Sequence, residues 1–230
     1  MNRTKTEVLI LSDIHMGTPV SRAKVLHEFL EASSFKKLIL NGDIFDDLDF
    51  TRLSKDDWGL FDYLRKLTGQ KNGVEVVWIA GNHDVSAFAL SRIIGIRVRA
   101  EYVFEWNGKK CLVIHGHQFD RFLYANPVTS LLASWAYLFI QLIDSRQQRF
   151  SRWVKKMSKS WLRLAKEVAK GSSLYGKFLK RADYVFCGHT HREDHTNEYG
   201  PEYWNSGCWT DIPSTYITLD ENGVSSHHIN

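Results

Sequence analysis

A chain of 230 residues, 43% hydrophobic and 24% charged, is long enough to bury one sizeable core without covalent staples. Its three cysteines, Cys111, Cys187 and Cys208, are too few and too scattered for a disulfide or zinc framework, and they read as small buried hydrophobes in a reducing compartment. The formal charge of +4 conceals an asymmetry: Arg146 to Arg181 holds 12 Lys/Arg against the single acid Glu167, so the rest of the chain is net acidic. The opening MNRTKTEVLILSDIH has too short an apolar run for a secretory signal, and the expected setting is the cytoplasm.

In chain order, Glu7 to Leu11 predicts a short buried strand and Ala23 to Glu31 a helix. Phe35 to Leu40 predicts the next strand, followed by the acidic loop NGDIFDDLDF. Ser54 to Thr68 opens on a serine cap with acids in its first turn and carries Trp58, Phe61, Leu64 and Leu67 at helical spacing. Val74 to Ala80 predicts a third strand, and Tyr102 to Trp106 and Lys110 to Ile114 a hairpin around Asn107-Gly108. Long helices follow Asp120. Tyr184 to Cys187 then returns to strand, and the tail from Tyr203 to Ile229 alternates around Asn222-Gly223. Strands alternating with helices give an α/β class, with a core over 1–120 and 182–230 and a helical insertion over 121–181.

Within the insertion, Val128 to Ile143 is almost wholly apolar but too short for a membrane span and interrupted by Gln141. Beyond it, Phe150, Trp153, Val154, Met157, Trp161, Leu164 and Val168 recur at helical spacing, while Arg149, Arg152, Lys155, Lys156, Lys159, Arg163 and Lys166 lie largely off that stripe. A basic amphipathic helix is expected, with its apolar side toward acyl chains and its cations toward an anionic membrane surface met through residues 128–170. The plainer alternative is a stripe packed on the domain beneath a solvated charged face. Nucleic acid is the rival partner, since basic residues interleaved with tryptophan also line strand-binding channels.

Five apolar runs end in residues that fill no core. They deliver Asp13 and His15, then Asp43, then Asn82 and His83, then His115, then His189 and His191. Ligands in α/β sheets bind beyond the carboxyl ends of strands, so these termini are expected to converge in one crevice. Asp13 and His15, like His189 and His191, are two apart, a spacing that in extended backbone sends both side chains to one side. Imidazoles with carboxylates and an amide oxygen suit Mn, Fe, Zn or Co, and seven ligands drawn from these eight residues are too many for one tetrahedral ion but suit two. Two divalent cations against Asp13 and Asp43 leave about +2 to attract an anion, which makes phosphate ester hydrolysis the natural chemistry. Isolated histidines such as His27, His227 and His228 read as structural or solvated.

In this order, DIH, GDIFD, GNHD, HGH and GHTH resemble the five-block signature of the calcineurin-like metallophosphoesterases. The resemblance implies a two-sheet β-sandwich flanked by helices. It implies that Asp13, His15 and His191 bind one ion, that Asn82, His115 and His189 bind the other, and that Asp43 bridges them. It further implies that His83 contacts the phosphate or aids the leaving group, with Asp46 orienting it, and that Asn82 and His83 meet the substrate; His117 reads as structural or as backing the ligands, with substrate contact the alternative. HGHQFD ahead of a helical insertion, and NSGCW near the end, are most similar to the UDP-2,3-diacylglucosamine pyrophosphatase branch of lipid A synthesis. That likeness implies a nucleotide-linked glycolipid substrate cleaved to UMP and an acyl sugar phosphate, usually with manganese. The chain departs from that branch at His83, His117 and Cys208, where arginine, an acid and often aspartate are expected. The departures leave the metal ligands intact and bear on the substrate; a broader phosphodiesterase or nuclease, or a non-catalytic scaffold on the same fold, are the alternatives.

Overall fold

The computed structural model describes residues 6–47, 49–69, 74–84, 91–92, 95–120, 127–144 and 149–230. The strands are β1 (Thr6–Leu11), β2 (Phe35–Asn41), β3 (Glu75–Ile79), β4 (Val98–Arg99), β5 (Glu101–Trp106) and β6 (Lys109–Ile114), then β7 (Tyr184–Cys187), β8 (Glu193–Thr196), β9 (Glu202–Ser206), β10 (Ser214–Asp220) and β11 (Gly223–Ile229). The helices are α1 (Ala23–Ala32), α2 (Lys55–Gly69), α3 (Pro127–Ile143), α4 (Arg149–Met157) and α5 (Lys159–Tyr175). Two mixed sheets form, one ordered β11-β10-β1-β2-β3-β4 and the other β5-β6-β7-β9-β8. In the first, β1 to β4 run parallel; in the second, β6, β7 and β9 do.

Strand alternation builds three apolar layers. Val8, Ile10, Ile39, Val77 and Ile79 meet Phe104, Cys111, Val113 and Phe186 between the sheets. The opposite face of the first sheet sends Leu9, Leu11, Leu38, Leu40 and Trp78 against Leu26 and Leu30 of α1 and Leu60 and Leu64 of α2. The outer face of the second sheet sends Leu112, Ile114, Val185 and Cys187 against Ala169 of α5. With both faces covered, β1, β2 and β6 read as unbroken apolar runs rather than alternating ones. The expected fold, two sheets flanked by helices, is the one observed. All three cysteines are buried and free.

The cap expected at Ser54 is present and reciprocal. The Ser54 N–H donates to the Asp57 carboxylate at 2.9 Å, and the Asp57 N–H to Ser54 Oγ at 3.2 Å, which satisfies donors that the first turn leaves open. Two strands escape the sequence reading. β4 is only two residues long, and β8 (EDHT) is a polar edge strand with no buried residue.

The single basic amphipathic helix expected from Phe150 to Val168 is instead two. Ser158 adopts extended backbone and caps α5 through Trp161 N, because a hydroxyl at this position competes with continuation of α4. The stripe divides accordingly. Val168 of α5 is buried, whereas Phe150, Trp153 and Met157 of α4 stand exposed. Lys155, expected on the solvated basic face, is 6% exposed. Among the described residues, no helix is long and apolar enough to cross a membrane.

Candidate metal centre

Asp13 and His15 follow β1, Asp43 follows β2, Asn82 and His83 follow β3, His115 follows β6, and His189 and His191 follow β7. The fold gathers them in three overlapping groups: Asp13, His15 and His191; His15, Asp43 and His83; and Asp43, His115 and His189. Within each group the donor atoms lie within 4.8 Å of one another. Asp43 belongs to two of them. Its carboxylate accepts the His83 N–H at 2.9 Å, which ties the GNHD turn that carries Asn82 to Asp43.

Extended backbone does not aim these side chains. Asp13, His15, Asp43, His189 and His191 all have left-handed backbone, with φ between 49° and 67°. Each such residue costs about 1–3 kcal/mol and persists only where surrounding structure over-determines it. Here the loops are cross-tied: Asp13 N–H donates to Gly42 O at 3.0 Å, His15 N–H to Asp43 O at 3.0 Å, and Trp209 N–H to Asp13 O at 2.9 Å. Close approach also needs glycine. A β-carbon on Gly188 would lie 2.6 Å from Asp13 Oδ2, and one on Gly81 would collide with the Asp43 carboxylate and backbone nitrogen.

Each ligand imidazole has its other nitrogen engaged, the arrangement that orients metal-binding histidines. His115 Nδ1–H donates to the Asn41 carbonyl at 2.7 Å. His189 Nε2 meets Asp120 Oδ2 at 2.9 Å, His15 Nδ1 lies 3.4 Å from Asp46 Oδ1, and His191 Nδ1 lies 3.5 Å from Thr210 Oγ1. Because His115 uses Nδ1 as donor, its Nε2 presents a lone pair to Asp43 Oδ2, 3.2 Å away. A proton or a cation has to lie between them. Among the described residues, Asp13 Oδ1, Asn82 Oδ1 and His115 Nε2 are buried and have no hydrogen-bond partner. Asp13 Oδ1 is 3.2 Å from His191 Nε2, close enough for attraction but without hydrogen-bond geometry. Orphaned polar atoms of this kind are costly unless something binds them, and two divalent cations held by these residues fit.

The charges respond to one another. Burial disfavours a charged His115, but the Asp43 carboxylate beside it prevails and lifts the imidazole to about 9. Burial would raise the Asp13 carboxyl, yet His191 draws it down to about 2. Asp84, buried beneath the GNHD turn, is pushed up to about 6 by burial and by Asp43. His117 has its Nδ1 buried without a partner, and burial together with His115 and His189 holds it down to about 4.

His83 stands at the rim, half exposed, with Nδ1 donating to the backbone carbonyl of Asp46 at 2.7 Å. The Asp46 carboxylate is 3.9 Å from that nitrogen and turns instead to His15 Nδ1 and to Arg52 at 2.9 Å. Orientation of His83 by Asp46 thus runs through the main chain, because the left-handed loop after β2 points the carboxylate inward.

Four further residues build the site. Asp84 accepts from the Gly81 N–H at 3.0 Å, Trp78 Nε1–H at 3.1 Å and Ile44 N–H at 3.1 Å, tying the GNHD turn to the GDIFD turn. Asp120 holds His189. Both acids sit inside sequence blocks already singled out, so proximity to the ligands was their signal. Lys155 and Asp211, which bond beneath the GHTH loop, carry none.

The calcineurin-like phosphoesterase family profile matches residues 6–193. No curated protein matches the chain. Among solved structures, similarity extends to Yfce, a phosphoesterase from E. coli, at 15% identity and a TM-score of 0.51 over 95% of this chain and 90% of that one. An archaeal phosphodiesterase is similar at 15% identity and a TM-score of 0.50, over 96% and 99%, and Chaetomium thermophilum Vps29 at 12% and 0.50, over 96% of each chain. At such identities the structural likeness speaks for the fold alone. With its motif blocks gathered at the strand ends and the family profile spanning most of its length, the chain belongs to the calcineurin-like phosphoesterase family.

Proposed function

We propose that the protein is a dinuclear metal phosphohydrolase that cleaves a pyrophosphate or phosphodiester, with a UDP-2,3-diacylglucosamine-type glycolipid as the substrate and manganese as the resident metal. The supporting observation is the set of buried atoms without partners among the described residues, Asp13 Oδ1, Asn82 Oδ1 and His115 Nε2, together with a carboxylate, Asp43, shared by two ligand groups. Asp13, His15 and His191 would hold one ion, Asn82, His115 and His189 the other, and Asp43 both. Such a pair supplies Lewis acidity toward a phosphoryl group and an activated water near neutral pH.

The chain's own side chains do the rest. His83, with Nδ1–H committed to the Asp46 carbonyl, would as the imidazolium present Nε2–H at the rim to position the phosphate or to give a proton to the leaving oxygen. His117, neutral at physiological pH, lines the same crevice as a substrate contact. Trp135, Phe139 and Ile143 of α3 share one exposed helix face, as do Phe150, Trp153 and Met157 of α4. These faces support an acylated substrate taken from an anionic membrane surface on the cytoplasmic side.

A second reading has its own observation. Lys159, Arg163, Lys166 and Lys170 lie along one groove of α5 with Leu162, the single acid Glu167 and Tyr199, a net cationic ladder beside an aromatic ring that favours a polyanion such as single-stranded nucleic acid. Metal content and manganese-stimulated hydrolysis of a chromogenic diester test the enzyme reading, and a metal-free, inactive wild-type chain refutes it. Assay of UDP-diacylglucosamine against single-stranded DNA separates the substrates. Preference for DNA with steep salt dependence would replace the glycolipid. Asp43→Ala should abolish turnover in either case.

A further inference from the structure

Beneath the GHTH loop the three helices between β6 and β7 each contribute a polar side chain to the same small region. From α4, Lys155 Nζ donates to the His191 carbonyl at 2.8 Å and to Asp211 Oδ2, and it lies about 5 Å from the ring centroids of Tyr137 and Trp161. From α3, Gln141 Nε2 donates to Asp211 Oδ1 at 2.8 Å and to the Thr210 carbonyl at 3.2 Å. From α5, Trp161 Nε1–H donates to the Thr190 carbonyl at 2.7 Å. The Thr190 carbonyl is therefore held by a side chain of the helical segment, and the His191 carbonyl by Lys155 together with a longer contact from Cys208 Sγ, just past β9, at 3.9 Å.

A buried ammonium is a poor stabiliser, because loss of its hydration roughly cancels the attraction of its partner and an apolar side chain of similar volume would pack as well. What an apolar residue could not do is grip the peptide carbonyl of His191. That residue has left-handed backbone with φ 50°, a conformation that needs external support, and its imidazole direction follows from the peptide planes on either side. Lys155 supplies the support at one of those planes. His115 and His189 have different partners: His189 is held by Asp120 and by its N–H on Asp13, and His115 by Asn41.

We propose that Lys155 is a positioning residue for one half of the metal centre: by holding the His191 carbonyl and the Asp211 carboxylate, it aims the His191 imidazole and sets the affinity of the ion bound by Asp13, His15 and His191. The ion bound by Asn82, His115 and His189 is left unaffected. The helical segment is on this account a working part of the metal site as well as a cover over it. The inference rests on the dinuclear reading given above.

Two variants test it: Lys155→Met, which keeps an apolar stem and removes the ammonium, and Lys155→Met with Asp211→Asn, which also removes the buried counter-charge. Full-length protein is titrated calorimetrically with Mn2+ alone, and urea melts are run on the metal-free chain. The wild type should bind two Mn2+. Both variants should retain one site of wild-type affinity and show the other weakened ~10–100-fold, the usual cost of losing an outer partner of a ligand. His191→Ala identifies which site that is. The double variant should recover stability lost by the single one without recovering the weakened site, a separation that a purely structural role would not produce. Two normal sites in the double variant, or equal weakening of both, overturn the role of Lys155 alone. A wild-type chain that takes up no Mn2+ overturns the dinuclear reading and this proposal with it.

Discussion

A methyl group at Gly81 tests how closely the loops are packed around Asp43. The residue has no left-handed φ to forbid a side chain, so the penalty of Gly81→Ala is steric: the new carbon would overlap Asp43 Oδ1 and its backbone nitrogen. The nitrogen cannot rotate away. Overpacking of this kind costs about 1–3 kcal/mol, and displacement of the carboxylate breaks its bond from the His83 N–H, worth about 1 kcal/mol more. A destabilisation of about 2–4 kcal/mol is expected in urea melts of the chelated protein. Because Asp43 is grouped with His15 on one side and with His115 and His189 on the other, the two Mn2+ affinities should fall together, each at least ~10-fold by calorimetry, and hydrolysis should fall with them. A variant within ~0.5 kcal/mol of wild type that binds two Mn2+ normally would refute the close approach on which the site is built.

Gly59→Ala is the matched control. The same methyl in α2 meets the His27 ring at ordinary contact distance, Nδ1 at 3.6 Å and Cε1 at 3.9 Å, so melts should show a gain of ~0.5–1 kcal/mol from helix propensity. Asp84→Ala leaves Ile44 N–H, Gly81 N–H and Trp78 Nε1–H without their acceptor and should cost about 3–5 kcal/mol; a loss below ~1 kcal/mol would mean that the two turns are not tied by this carboxylate. His117, held down to about 4 in the fold, has an ordinary value of 6.5, so the unfolded chain takes up its proton first. Stability should therefore fall as pH drops from 6.5 toward about 4, with His117 contributing ~1–2 kcal/mol after screening at a partly exposed ring. In metal-free melts at about pH 7 and about pH 5, His117→Gln should shrink the acid loss by ~1 kcal/mol, and an unchanged loss contradicts a buried neutral imidazole.

The motif blocks were legible because each is local. A strand that stops in Gly-Asn-His-Asp or Gly-His-Thr-His carries its ligands within a few residues, and the parallel order of β1, β2 and β3 brings their carboxyl ends to one edge. The means of convergence was not legible. Residue spacing implied extended backbone at Asp13 and His15, whereas φ there is positive, because the loops are bonded across to one another and not only along the chain. The amphipathic reading of residues 150–168 was half right for a similar reason: periodicity reports which residues share a helix face, not what that face meets. In the α5 part Val168 is buried, whereas Phe150, Trp153 and Met157 of the α4 part are exposed.

By itself, the order of residues determined the α/β class, the identity of the donor atoms and the places where strands end, since hydrophobic period and turn chemistry act over short stretches of chain. Only the tertiary structure decided that Asp43 is shared, that Asp46 serves His15 with its carboxylate and His83 with its carbonyl, that Asp120 backs His189, and that Lys155 lies buried on Asp211. Those partners are 56 or more residues apart in the last two pairs and in the ligand group Asp43, His115 and His189, and no local pattern encodes which distant polar group will satisfy a donor once water is excluded. That choice is made by packing, when each buried charge has to find whatever counterpart the fold brings within reach.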